Sequence, residues 1–170
     1  MSEASQTYLI ALGSNRRHAR FGAPRDIVRA AIGLLEELGS VTARSQVVAS
    51  PPLGPSRRRF ANAAVVLESR LSPRALLARL KAIETDFGRR RARRWGARVL
   101  DLDIVLWSGG LFADRALSIP HREFRERGFV LGPASDIAGD WRDPVGGRTL
   151  RQLSRRLSAP KPLDRGRRAF

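Results

Sequence analysis

Residues 99–107, VLDLDIVLW, set two aspartates two positions apart within an otherwise apolar run. A short apolar run of this kind reads as a strand, whose side chains alternate between the two faces of a sheet. Leu100, Leu102, Ile104 and Leu106 would then share a core face, and Val99, Asp101, Asp103 and Val105 the other. Two carboxylates pointing the same way repel each other unless a cation sits between them. Magnesium favours one or two carboxylates together with phosphate oxygens and water. A half-exposed strand with an acidic outer face is the plainer alternative. On the aspartate pair alone, both readings stand.

The rest of the chain supplies the partners such a strand needs. TYLIAL, residues 7–12, is a buried strand in prospect, and a helix should open at Pro24 and end at Gly39. A second strand is expected over 41–49, broken at Pro51-Pro52, where prolines cannot donate ladder hydrogen bonds. A third strand follows at 60–68, then a helix opened by Pro73 and stopped by Gly88, then the aspartate strand. Two further helices are expected near 128–138 and 149–157, with a basic tail from Ala159. The order strand, helix, strand, strand, helix, strand is the ferredoxin-like α+β pattern (a βαββαβ core), here with appended C-terminal helices. The 170 residues fit one domain, with its core over about 7–155.

Composition narrows the chemistry. There is no cysteine, which excludes disulfides, thiolate zinc sites and cysteine nucleophiles and points to a reducing, cytoplasmic setting. No apolar run is long enough to span a membrane, and the N-terminus lacks the basic region of a signal peptide. The net charge of +16 fits either a nucleic-acid binder or a polyphosphate site. Most arginines are scattered, as ordinary surface charge is. One cluster differs: GRRRARRWGAR, residues 88–98, holds Arg89, Arg90, Arg91, Arg93, Arg94 and Arg98 around Trp95, just before the aspartates. Arginine forks grip phosphate in a bidentate way, and Trp95 offers a flat face. A solvated basic loop is the plain alternative. None of the usual nucleic-acid motifs appears, nor does a phosphate loop of the GxxxxGK[ST] type, so a nucleic-acid partner is not expected. Phe60 and Asn62 share a face of the third strand, a stacking surface beside an amide that both donates and accepts. Of the two histidines, His18 reads as a solvated loop residue, and His121 follows a proline before a basic segment.

Five segments, taken together, resemble the 6-hydroxymethyl-7,8-dihydropterin pyrophosphokinases of folate biosynthesis. They are ALGSN (11–15), SPPLGP (50–55), FANAAVVLE (60–68), RWGARVLDLDIVL (94–106) and IPHREFRERGFVL (119–131), in the family's order. The resemblance implies a ferredoxin-like fold and attack of a pterin hydroxymethyl oxygen on the β-phosphorus of ATP, releasing AMP. It implies two Mg2+ ions bound with ATP and held by Asp101 and Asp103. It puts the pterin between Phe60 and Phe129, its polar edge met by Asn62 and by the backbone around Ser50, Pro51 and Leu53. Trp95 and Arg98 would close over the reactants, while Arg90, Arg91 and Arg94 neutralise phosphates. Glu84, Ile104, Ser118, His121 and Arg127 match positions lining the nucleotide site, and the loops around Gly54 and Arg89 match mobile lids. A monomeric enzyme with this single activity is the expectation. The chain departs from the family pattern at Phe60 (commonly tyrosine), Lys81 (usually glutamine), Ala116 (often arginine, with Arg115 adjacent) and Arg122 (often tyrosine). Both lid loops are about one residue short.

Overall fold

β1 (Gln6–Ser14) is apolar at successive positions rather than alternate ones, because it is covered on both faces and paired on both edges. The computed structural model describes residues 4–51, 59–88 and 99–160. After β1 come α1 (Pro24–Leu35), β2 (Ser40–Arg44), β3 (Val48–Ser50), β4 (Phe60–Ser69), α2 (Pro73–Asp86) and β5 (Asp101–Trp107). The two-residue strands β6 (Phe112–Ala113) and β7 (Ser118–Ile119) form a small hairpin, and α3 (Gly128–Ala138) and α4 (Leu150–Ser158) follow. The main sheet runs β2–β4–β1–β5, with β3 also on β4, and each pairing is antiparallel. The fold is thus a mixed α/β arrangement on an antiparallel sheet.

Each face of the sheet has its own core. Tyr8, Ile10 and Leu12 of β1 join Ala63, Val65 and Leu67 of β4 against Ile27, Ala31 and Leu35 of α1 and Leu76 and Leu80 of α2. Leu9, Ala11, Ala64 and Val66 point the other way, onto Phe124, Val130, Leu131 and Ala134 and the first residue of α4, Leu150. Pro73 starts α2 where its missing N–H costs nothing, and the Ser72 hydroxyl accepts from Ala75 N–H. Tyr8 is fully buried; its hydroxyl donates to Leu71 O at 2.6 Å, and burial pushes its pKa up to about 12.

Several expectations need correction. The segment expected as one strand over 41–49 is two, because Ser45 interrupts the ladder. Its N–H donates to Ala64 O while its hydroxyl accepts from Ala64 N–H, both at 2.9 Å. The aspartate strand begins at Asp101; Val99 lies outside it and packs in the first core. A register shift opposite Leu9 and Ile10 puts Leu106 with Val105 in the second core, away from Leu102 and Ile104. α1 stops at Leu35, short of Gly39, where a Cβ would lie 2.0 Å from Glu68 O. His18 is half-buried: its Nδ1 accepts from Arg20 and Phe21 N–H, and its ring lies 5.0 Å from that of Phe21.

Asp143, 1% exposed, fastens the turn between α3 and α4 to the single-turn helix Phe124–Glu126. Arg125 donates to both its oxygens at 2.6 Å and lies over the Phe124 ring at 4.7 Å. The hydrogen-bonded guanidinium holds the Asp143 carboxyl below its ordinary value. A lowered folded pKa stabilises the native state above the unfolded value, about 4 for an aspartate. That contribution disappears as pH falls through the folded value. Asp143→Asn should cost about 2–3 kcal/mol at pH 7. Urea titrations at pH 7 and pH 3 should show the penalty shrinking in acid.

Candidate active site

The chemistry-bearing residues gather at one end of the second sheet face. Antiparallel partners point to the same side, so register alone builds two rows. Asp101 of β5 pairs with Gly13 of β1, which pairs with Asn62 of β4. One step along, Asp103 pairs with Ala11 and Ala11 with Ala64. Gly13, Ala11 and Ala64 therefore form a low floor, with half-buried carboxylates at one side and an amide at the other. Asn62 is 2% exposed; its Nδ2 donates to Ser50 Oγ at 2.7 Å, and its Oδ1 would stand 3.2 Å from a Cβ on Gly13. The Asn62 amide thus leans over Gly13, toward the aspartate side of the row. Phe60, half-buried, pairs with Ser50 on β3. Phe129, in the first turn of α3, packs at the margin of the second core, on this same face.

His121 enters from the segment after β7. Its N–H donates to Val105 O at 3.0 Å, tying it to β5, and its Nδ1 accepts from Glu123 N–H at 3.3 Å. A neutral ring that accepts at Nδ1 carries its proton on Nε2, leaving Nε2–H to donate elsewhere. Burial lowers the His121 pKa; the Asp103 charge opposes this, and the Arg127 and Lys81 charges reinforce it. Those three side chains are therefore its electrostatic neighbours. Arg127 pairs with Glu123 and lies over the Phe129 ring at 5.7 Å. Ser118 is half-buried, its hydroxyl donating to Pro120 O at 3.4 Å.

Not every anticipated residue joins this cluster. Ile104 has its side chain in the first core, so only its main chain could meet a ligand. Glu84 is fully buried and bonded within the protein, to Lys81 and to the β5 main chain. Pro51 is exposed. Leu53, Arg90, Arg91, Arg94, Trp95 and Arg98 lie outside the described residues, as do both lid positions, Gly54 and Arg89. Among the described residues, no group of three or more histidine, aspartate or glutamate side chains forms a metal cage. Sequence reasoning gave no role to Gly13, Ala11 and Ala64, although the ALGSN and FANAAVVLE segments hold them. Their signal is absence of bulk at matched register positions, which appears only once β1 and β4 are paired.

A family model for 7,8-dihydro-6-hydroxymethylpterin-pyrophosphokinase matches residues 9–139. The Pseudomonas aeruginosa protein 2-amino-4-hydroxy-6-hydroxymethyldihydropteridine pyrophosphokinase is 41% identical over 144 residues, 83% of this chain and 86% of that one. The protein of the same name from Methylorubrum extorquens is 41% identical over 126 residues, 74% of this chain and 78% of its own length. Among solved structures, wild-type Plasmodium falciparum HPPK-DHPS with pteroate superposes with a TM-score of 0.72 at 14% identity. That match covers 90% of this chain but only 44% of the Plasmodium chain, so the likeness speaks for the fold alone.

A test of the floor follows from Gly13. Glycine within a strand costs about 0.5–1 kcal/mol relative to alanine, whereas a Cβ here crowds only the end of a flexible amide. Gly13→Ala should therefore change stability by less than about 1 kcal/mol. The Asn62 side-chain NH2 resonances should shift as the amide moves against Ser50. Unchanged resonances would show that the amide does not rest on Gly13.

Proposed function

Since the chain belongs to the 7,8-dihydro-6-hydroxymethylpterin-pyrophosphokinase family, we propose that Asp101 and Asp103 hold the two magnesium ions that accompany its ATP. The enzyme is a pyrophosphokinase of folate biosynthesis, transferring pyrophosphate from ATP to 6-hydroxymethyl-7,8-dihydropterin. The observation that carries the site assignment is the two rows Asp101–Gly13–Asn62 and Asp103–Ala11–Ala64, which bring two carboxylates and the Asn62 amide onto one face. Two carboxylates over a floor of small side chains suit magnesium, which keeps several water and phosphate ligands and needs room for them. When bound, the ions neutralise the phosphate charge and favour departure of AMP.

The chain's own residues position the reactants. Asn62, braced by Ser50, reads the polar edge of the pterin, and Phe60 and Phe129 supply its stacking faces. The Nε2–H of His121 and the Arg127 guanidinium donate to nucleotide phosphates near Asp103, with Ser118 on the same wall. The family resemblance assigns closure over the reactants to Trp95 and Arg98, and phosphate neutralisation to Arg90, Arg91 and Arg94. Leu53, Pro51 and the Ile104 main chain complete the substrate contacts in this reading. Phosphoryl-type transfer depends mainly on positioning and charge neutralisation, so these roles need no dedicated general base.

We read the whole chain as one pyrophosphokinase domain with a ferredoxin-like core, β2 and β3 together serving as its second strand and α3 and α4 appended. The all-antiparallel β2–β4–β1–β5 order supports that reading. Among the described residues, no helix is long and apolar enough to cross a membrane. The absence of cysteine fits a cytoplasmic enzyme, which we take to act as a monomer.

AMP should appear from Mg-ATP only when 6-hydroxymethyl-7,8-dihydropterin is present. Asp101→Ala and Asp103→Ala should each lower turnover about a hundred- to a thousandfold, as loss of a group that stabilises transition-state charge does. Their circular dichroism should stay native. Retained turnover in either variant would remove the metal assignment.

A further inference from the structure

Among the described residues β5 is the last strand on its side of the sheet, and its outer edge meets no other strand. At that edge stands Leu102, the residue between the two aspartates, and its N–H is not left to solvent. It donates to Glu84 Oε1 at 2.8 Å, a buried bond reaching across from the last turns of α2. The Glu84 side chain is 0% exposed. A carboxylate so buried stays ionised only if it is paired and hydrogen-bonded. Lys81, one turn earlier on the same helix and 43% exposed, supplies the pairing: its Nζ lies 2.9 Å from Oε1 and 3.1 Å from Oε2.

We propose that the Lys81–Glu84 pair is a positioning device for the magnesium-holding strand, acting through the Leu102 N–H rather than on the nucleotide. This rests on the assignment of Asp101 and Asp103 given above. The peptide that carries Leu102 N–H is the one that joins it to Asp101, and the next links it to Asp103. Anchoring that peptide fixes the main-chain angles that aim both carboxylates. An edge strand has a partner on one side only, so it would otherwise twist more freely than β1 or β4. The Lys81 ammonium meets both Glu84 oxygens, so the acceptor of the Leu102 N–H is itself held in place. Two carboxylates that must meet metal within a few tenths of an ångström gain most from such a brace. Groups that orient metal ligands in this way typically set metal affinity by 10–100-fold.

The test compares Glu84→Leu, which removes the acceptor at similar bulk, with Glu84→Gln, which keeps a carbonyl acceptor. Mn2+ binding is followed by electron paramagnetic resonance in the presence of α,β-methylene ATP, and pterin binding by fluorescence. Glu84→Leu should weaken Mn2+ binding about tenfold or more, with pterin affinity within about threefold of wild type. Glu84→Gln should recover most of the Mn2+ affinity, and faster exchange of the Leu102 amide should accompany the loss in Glu84→Leu. Wild-type Mn2+ binding in Glu84→Leu overturns the proposal. So does a Glu84→Gln variant as weak as Glu84→Leu, which would mark Glu84 as a direct charge contact. If Glu84→Leu does not fold, the double variant Lys81→Met/Glu84→Gln decides: it keeps the acceptor without either charge and should bind Mn2+ within about fivefold of wild type. A larger loss overturns the proposal. Asp103→Asn serves as the reference. If it binds Mn2+ like wild type, the metal assignment itself fails, and that failure is visible whatever the Glu84 variants do.

Discussion

The double pairing of β1 is the constraint on which the rest of this structure depends. It is hydrogen-bonded to β4 along one edge and to β5 along the other, and both its faces are covered. A strand in that position transmits register: whatever stands at Gly13 is set opposite both Asp101 and Asn62. The two ends of the site thus need no direct contact with each other. Tyr8 fastens the opposite end of the same strand, through its buried hydroxyl on Leu71 O. A slip of one residue in either pairing would turn the aspartates or the asparagine into the α1–α2 core, where a charged group without partners is costly. The apolar residues that fix register therefore also fix the chemistry.

The floor of the site shows how packing and function divide one sheet face. Toward α3 that face is filled by Leu9, Val66, Val105 and Leu131. Toward the aspartates the same strands carry Ala64, Ala11 and Gly13, so side-chain height falls along the row. That low row is thus a by-product of sequence composition along strands that are otherwise regular. It is walled by elements outside the sheet: Phe129 of α3, and the His121–Arg127 segment held to β5 through Val105 O. Asp143 and Arg125 secure that segment from behind.

Much of this was legible in the sequence, for identifiable reasons. Asp101 and Asp103 were placed on one face because strand periodicity admits no other arrangement, and Phe60 and Asn62 followed by the same rule. The α2 boundaries at Pro73 and Gly88 were signalled by residue type, and the helix runs Pro73–Asp86 before its closing turn. Periodicity failed where side chains substitute for ladder bonds. Ser45 splits the second strand by occupying the Ala64 backbone groups itself, and the bulge near Val105 turns Leu106 over. Neither leaves a mark in hydropathy. Likeness put Glu84 at the nucleotide site, and the packing buries its carboxylate against Lys81 and the Leu102 N–H. An i, i+3 Lys–Glu spacing was there to be read, but such pairs usually lie in solvent. Burial, which only the packing of α2 on β5 reveals, changes its meaning.

The choice of lysine at position 81 makes physical sense in this setting. Lys81 and Lys161 are the only lysines in a chain that elsewhere carries its positive charge on arginine. An arginine three residues before Glu84 would bring a planar fork with five N–H donors, each needing an acceptor where it is enclosed. A lysine brings a compact charge with three rotatable donors, two of which reach the two carboxylate oxygens at 2.9 and 3.1 Å. Its half-exposed stem lets the ammonium keep some water, which lowers the desolvation cost of the pair. Arg125 makes the planar, bidentate counterpart of this contact on Asp143, which is itself 1% exposed. The two buried carboxylates are thus braced differently: Glu84 by one compact ammonium that keeps part of its water, and Asp143 by a guanidinium fork that matches both its oxygens.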